Sequence, residues 1–358
     1  MQPLDNLKQI KKLDPDEVLG SIGMLGEQIN QVWQEFRRVK LPKGYKQVDK
    51  VLVNGMGGSA LGAHILRSVF FDQLKVPFGV INSYKLPASL DKKTLYIISS
   101  YSGNTEEPLS TLAEAKRRGA KIFGIAAGGK LGAWIKQGKL PGYVFPPSFN
   151  PSNQPRMGLG YSFAAQVSLL QKLGLIKISE QKKKSMPALA KKFGSKFGVA
   201  CPLSQNPAKK LAVQLQNKIP VIAAAEFLAG NAHTFANQIN ENAKTFSSYF
   251  LISELNHHLL EGLSFPKTNH QNLFFVFFSS ALYYPKNQAR FKVTQQVLAK
   301  NKIKFSNYKL SASDQLDSAL EMLIFGSYVS FYLAILNGVN PSKIPWVDYF
   351  KTQLERYH

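Results

Sequence analysis

Four hydroxyl side chains, Ser99, Ser100, Ser102 and Thr105, crowd the end of an apolar run at residues 95–98. Gly103 lets the backbone turn sharply, and Glu106 and Glu107 follow where a helix N-terminus accepts acidic residues. A strand, a hydroxyl-rich turn and a helix start supply free backbone N–H groups, a favourable dipole and room for close approach. That combination binds phosphate or a similar anion. The same residues also suit an ordinary strand-to-helix loop with a serine cap, and the loop by itself leaves both readings open.

The stretch KVLVNGMGGSALG at 50–62 repeats this grammar. A short apolar strand meets Gly55, Gly57, Gly58 and Ser59, and a helix is expected from about Ala60. Gly55, Gly57 and Ala60 also fit a dinucleotide fingerprint, but that motif wants an acidic residue closing the next strand. The next strand, expected at 77–81, closes on Asn82 and Ser83, which disfavours NAD. A third near-match, GIAAGGKL at 124–131, has Leu131 where an ATPase loop needs Ser or Thr for magnesium, and it reads as a glycine-rich turn.

Three further places could carry acid–base chemistry. Arg156 sits in a Pro/Gly/Asn-rich connector at 150–161, where a guanidinium can grip an anion as well as face solvent. Glu241 lies between Asn240 and Asn242 on an expected helix at 235–244, and is either a proton-transfer base or a plain surface carboxylate. His257 and His258 are adjacent, so at most one faces a given site, and no second ligand pair makes a metal centre of them. A G-x-S-x-G elbow for serine-hydrolase chemistry is missing.

The elements that must position these groups alternate. Strands near 50–54, 77–81, 95–99, 121–125 and 143–145 are separated by helical patterns, which predicts a doubly wound parallel sheet with both loops at carboxyl ends of strands. Alternation resumes at IPVIAAA, SYFLIS, LFFVFF and IKFSNYKL, so the second half reads as a smaller sheet of the same class and a diverged duplicate. Asp14-Pro15 is expected to start a single amphipathic helix running to about Arg38, outside the first domain. Residues 177–198, with the run Lys182–Lys184, read as an inter-domain linker. Residues 322–342 carry no charge, and they fit a buried helix better than a membrane span.

At 358 residues, 44% hydrophobic and 19% charged, the chain has material for two cored domains. The net charge of +23 comes from dispersed lysines without a nucleic-acid-binding motif, so an anionic small molecule is the expected partner, with neither nucleic acid nor membrane. A single cysteine, Cys201, allows no internal disulfide, and residues 1–12 lack the apolar core of a secretory leader. A cytoplasmic location is expected.

GMGGSALG, SYSGNTEE, QPRMGLGY, NENAK, ELNH and YFKTQL stand here in an order and spacing similar to those of bifunctional phosphoglucose/phosphomannose isomerases. The chain resembles that family, within the sugar isomerase (SIS) superfamily, from about residue 45 to 352. The resemblance implies an α/β protein with two SIS subdomains, each a doubly wound parallel sheet flanked by helices. Their expected bounds are 45–150 and 216–340, with an N-terminal helical arm at 1–44, a connector and linker at 151–215, and a C-terminal segment at 341–358. It implies a homodimer, without cofactor or metal, that interconverts glucose 6-phosphate and/or mannose 6-phosphate with fructose 6-phosphate. Carried over, Gly57, Gly58, Ser59, Ser100, Ser102 and Thr105 would cradle the phosphate. Arg156 would stabilise an enediolate, Glu241 would move the proton between C1 and C2, and His257 with Lys351 would assist ring opening. A non-catalytic SIS sugar-phosphate sensor is the alternative; it would lack the catalytic groups, and Arg156, Glu241, His257 and Lys351 are all present.

Overall fold

Apolar runs too long and too continuous for one-sided burial make the backbone of this protein. In the computed structural model, which describes residues 3–357, they become two all-parallel sheets. The first contains β1 (Lys50–Asn54), β2 (Phe78–Ile81), β3 (Thr94–Ser99), β4 (Lys121–Ala126) and β5 (Gly142–Val144), in the order β2-β1-β3-β4-β5. The second contains β6 (Ile219–Ala225), β7 (Ser248–Ile252), β8 (Leu273–Ser279) and β9 (Lys304–Lys309), in the order β7-β6-β8-β9. Each half thus puts its first strand second in the sheet and adds its third strand on the inner side. This shared order is what a duplicated unit would leave.

β3 shows why the sheet is parallel and central. All six of its residues are buried, as expected for a strand covered on both faces. Leu95 and Ile97 enter the large core common to both halves, whereas Tyr96 and Ile98 enter a smaller one with Leu112 and Leu131. At the outer edge, β9 exposes Lys304 and Lys309, charges that discourage pairing with another strand.

The halves meet through helices. Gly58–Val69, which follows β1, packs directly on Ala229–Ala243, which follows β6. Gln315–Leu336 lies against the latter, buried along nearly its whole length. That burial accounts for its uncharged run as core.

Two expectations are corrected here. The Asp14 start does not open one long helix. Asp14 instead accepts from the N–H groups of Val18 (2.8 Å) and Leu19 (2.9 Å), and the chain forms Val18–Gly23 and then Leu25–Phe36. The arm is packed into the structure, with Ile29, Val32, Trp33 and Phe36 buried against Leu159–Lys172 and Glu180–Phe197. The stretch expected as a linker is itself the Glu180–Phe197 helix, capped by Ser179. Met186, Ala190, Phe193 and Phe197 recur at helical spacing and form its buried stripe, while the lysines between them face solvent.

Candidate active site

The two hydroxyl-bearing loops leave the carboxyl ends of β1 and β3 and are stitched together. Ser99 Oγ donates to the Ser59 carbonyl at 2.8 Å, and Ser59 Oγ accepts from the Tyr101 N–H at 2.8 Å. Gly57 and Gly58 sit at the start of the helix that Ser59 continues. Ser100 Oγ accepts from the Gly103 N–H at 3.0 Å and lies 2.8 Å from Thr105 Oγ1. One of those two hydroxyl protons makes the shared bond, so the other is left to donate to an anion. Ser102 is exposed at the tip, accepting from the Asn104 N–H at 3.3 Å.

Behind this loop stands the turn GIAAGGKL. Leu131 donates its N–H to the Gly103 carbonyl at 3.0 Å, and Lys130 donates its N–H to Asn104 Oδ1 at 2.9 Å. Gly103 has φ +71°, and a Cβ there would fall 1.8 Å from the Gly128 carbonyl oxygen. The GIAAGGKL turn therefore serves as a brace for the Ser99–Thr105 loop.

Arg156 is the centre of the site. Its connector is pressed onto the first loop so closely that a Cβ on Gly58 would sit 2.6 Å from the Arg156 backbone nitrogen. Gln28, from the N-terminal arm, holds that connector by donating to the carbonyls of Phe149 (2.9 Å) and Met157 (3.0 Å). The guanidinium is 1% exposed, and every one of its five N–H groups has an acceptor. Nε donates to Asn242 Oδ1 (2.6 Å), and Nη1 donates to Gln154 Oε1 (2.8 Å) and Glu241 Oε2 (3.2 Å). Nη2 donates to the carbonyls of Pro341 and Ser342, both at 2.8 Å. Burial lowers the proton affinity of Arg156, and the Glu241 carboxylate opposes that effect; a guanidinium remains charged throughout.

Glu241 stands in the last turn of Ala229–Ala243, its side chain 29% exposed. The flanking asparagines fix that turn. Asn240 donates to the carbonyls of Ala236 and Ser247, each at 2.9 Å, and Asn242 donates to Ser330 Oγ at 3.0 Å. The expected base and the expected cation are thus in contact, with the base open to solvent on one side. Asn242, Gln154 and the 340–342 turn complete the constellation and were not picked out as site groups from sequence. The asparagines flanking Glu241 and the Gln-Pro ahead of Arg156 were the available signals.

His257 and Lys351 lie elsewhere in the chain. Both are exposed, His257 on Leu255–Gly262 and Lys351 on Pro345–Leu354, and neither bonds to Arg156 or Glu241. The Pro345–Leu354 helix buries none of its residues, leaving Trp346, Tyr349 and Phe350 at 80%, 59% and 61% exposure. Among the described residues, no three His, Cys, Asp or Glu side chains converge as metal ligands would.

Residues 204–354 match the family described as the bacterial phospho-glucose isomerase C-terminal SIS domain. Over 339 residues the chain is 32% identical to a bifunctional phosphoglucose/phosphomannose isomerase from Caldicellulosiruptor bescii, spanning 93% of this chain and 98% of that protein. It belongs to the bifunctional phosphoglucose/phosphomannose isomerase family. A member from Thermoplasma volcanium is 29% identical, over 88% of this chain and 96% of its own. Among solved structures, a hypothetical protein from Thermus thermophilus superposes with a TM-score of 0.75 at 18% identity, over 98% of this chain and 94% of that one. The C-terminal domain of glucosamine-fructose-6-phosphate aminotransferase from Francisella tularensis superposes at 0.64 with 14% identity, over 90% and 96%. These two likenesses concern the fold alone.

Proposed function

We propose that this family member interconverts glucose 6-phosphate and/or mannose 6-phosphate with fructose 6-phosphate at the Arg156–Glu241 site. The observation that carries this is a solvent-open carboxylate held 3.2 Å from a buried arginine, on a connector that packs against the Gly58–Ser59 loop. Gly57, Gly58, Ser59, Ser100, Ser102 and Thr105 would receive the phosphate, fixing the sugar's far end so that C1 and C2 reach Glu241. The carboxylate takes the C2 proton of the open-chain aldose, and the electron pair moves onto O1 to give an enediolate. Delivery of that proton to C1, with transfer of the O2 proton to O1, gives the ketose.

Because all five Arg156 donors are engaged, its help to the enediolate is the field of a fixed positive charge in a dry setting. Ring opening is assigned to His257 and Lys351, supplied across a subunit boundary in a homodimer. The exposed aromatic side of Pro345–Leu354 supports such an interface. The single Cys201 fits a cytoplasmic setting.

The test is a coupled assay with fructose 6-phosphate, using glucose-6-phosphate dehydrogenase and NADP to report glucose 6-phosphate, with mannose 6-phosphate as the second substrate. Turnover of either aldose with fructose 6-phosphate is expected. No turnover in either direction by a folded protein would defeat the reading and leave the sensor alternative.

A further inference from the structure

Three successive carbonyls, those of Asn340, Pro341 and Ser342, each accept from a cationic side chain. Two of them hold Arg156, and the third holds Lys244. Lys244 is the left-handed residue (φ 53°) that ends the Ala229–Ala243 helix, three positions after Glu241. Its ammonium also donates to the Asn242 carbonyl at 3.0 Å, and Asn242 is the residue whose side chain accepts from Arg156 Nε. Lys244 therefore ties the end of the base-bearing helix to the turn that grips the arginine.

We propose that Lys244 is a positioning residue for the isomerisation: its ammonium clamps the 340–342 turn that grips Arg156 and ties it to the end of the helix that carries Glu241. This rests on the assignment of Arg156 and Glu241 as the reacting site. A lysine ammonium has three N–H donors, and two are occupied by carbonyls, so the third is free while every Arg156 donor is held. Lys244 is consequently the cation of this cluster that can answer a charge change at Glu241.

The charged groups facing it are Arg156 from the connector and Glu241 from its own helix. Beyond the turn are Asp16, which accepts from the Asn340 side chain at 3.0 Å, and Lys343, 3.8 Å from Asp16. Burial first, and then Arg156, pull Lys244 down to about 8, with Glu241 opposing. The clamp is thus charged at neutral pH and is released as the solution turns alkaline.

The experiment compares the full-length wild type with Lys244→Met and Lys244→Arg, following kcat and KM for fructose 6-phosphate from pH 6 to pH 10. Wild-type activity is expected to fall along a limb near pH 8. Lys244→Arg, charged throughout, should keep most of kcat and lose that limb. Lys244→Met should lose about 10²-fold in kcat, the scale of an ångström-sized misplacement, with KM little changed. A purely structural clamp would lower thermal stability in Lys244→Met without moving the alkaline limb in Lys244→Arg. Wild-type kcat in Lys244→Met, or an unchanged limb in Lys244→Arg, overturns the proposal; if Lys244→Met fails to fold, the Lys244→Arg profile decides. Glu241→Gln is assayed beside them. Full activity there would remove the site assignment itself, whereas an inactive Glu241→Gln with an unaffected Lys244 series removes only the role of Lys244.

Discussion

Arg156 Nη1 donates to Glu241 Oε2 across 3.2 Å, and the two residues come from opposite halves of the chain. The cation is buried and the carboxylate is partly wet, so the pair is asymmetric. Removing the arginine would strand several carbonyls, whereas neutralising the glutamate leaves four of the five arginine donors with their acceptors. The carboxylate can therefore be probed with little disturbance to the fold.

Glu241→Gln should lower turnover by about 10²–10⁴-fold while retaining phosphate binding. Exchange of deuterium at C2 of glucose 6-phosphate is the direct readout. Wild-type exchange in the Gln variant would mean that another group moves the proton.

Thr105→Val removes Thr105 Oγ1 and its bond to Ser100, leaving a single hydroxyl where an anion would meet two. Binding of 6-phosphogluconate should weaken by about 1.5–3 kcal/mol, the scale of a hydrogen bond to a charged group. Calorimetry giving equal affinities would take the phosphate away from this loop.

Gly58→Ala places a methyl 2.6 Å from the Arg156 backbone nitrogen, where backbone and not a flexible side chain must give way. Overpacking of this kind costs about 1–3 kcal/mol. Melting temperature and kcat should fall together; a variant with both unchanged would show that the connector is not pinned by this contact.

His64 and His233 meet edge to face with ring centroids 4.6 Å apart, across the helices that join the halves. Burial, then His233 and Arg67, pull His64 from 6.5 down to about 4, and burial with Arg67 lowers His233 as well. Between those values the unfolded chain binds more protons than the folded one, so stability rises with pH there. The contribution is complete above pH 6.5 and is lost as the pH falls toward about 4. The melting temperature of His64→Gln should decline less steeply than wild type over that window, and parallel slopes would refute the link.

Trp346→Ser combined with Phe350→Ser removes two of the most exposed apolar side chains of Pro345–Leu354. Sedimentation should shift from dimer toward monomer with loss of activity. A fully active monomeric wild type would exclude a shared site.

The inner strands β3 and β8 were legible because parallel strands buried on both faces read as unbroken apolar runs, and LYIIS and LFFVFF are such runs. The 177–198 stretch was misread because seven lysines hide a stripe of four apolar residues at helical spacing. The Asp14–Arg38 stretch was read as one helix, although Gly23 ends the first of its two helices and Met24 stands between them. Glu241 and Arg156 could be picked out as candidates by type and setting, each with a plain surface reading beside it. The Pro341 and Ser342 acceptors could not, because a backbone carbonyl leaves no mark on residue identity.

The acceptors around Arg156 also impose an order on the protein's birth. Ribosomes make chains from the N-terminus, and domains tend to fold as they emerge. The first sheet and the arginine connector emerge first, and the carbonyls of Pro341 and Ser342 follow only 185 and 186 residues after Arg156. Until they arrive, the guanidinium must stay hydrated, because burying it with open donors is costly. A nascent first half can thus carry a formed hydroxyl-lined loop with an unclosed arginine shell beside it. A chain cut short before Pro341 would be left with that same wet arginine, a defect that cellular quality control could read.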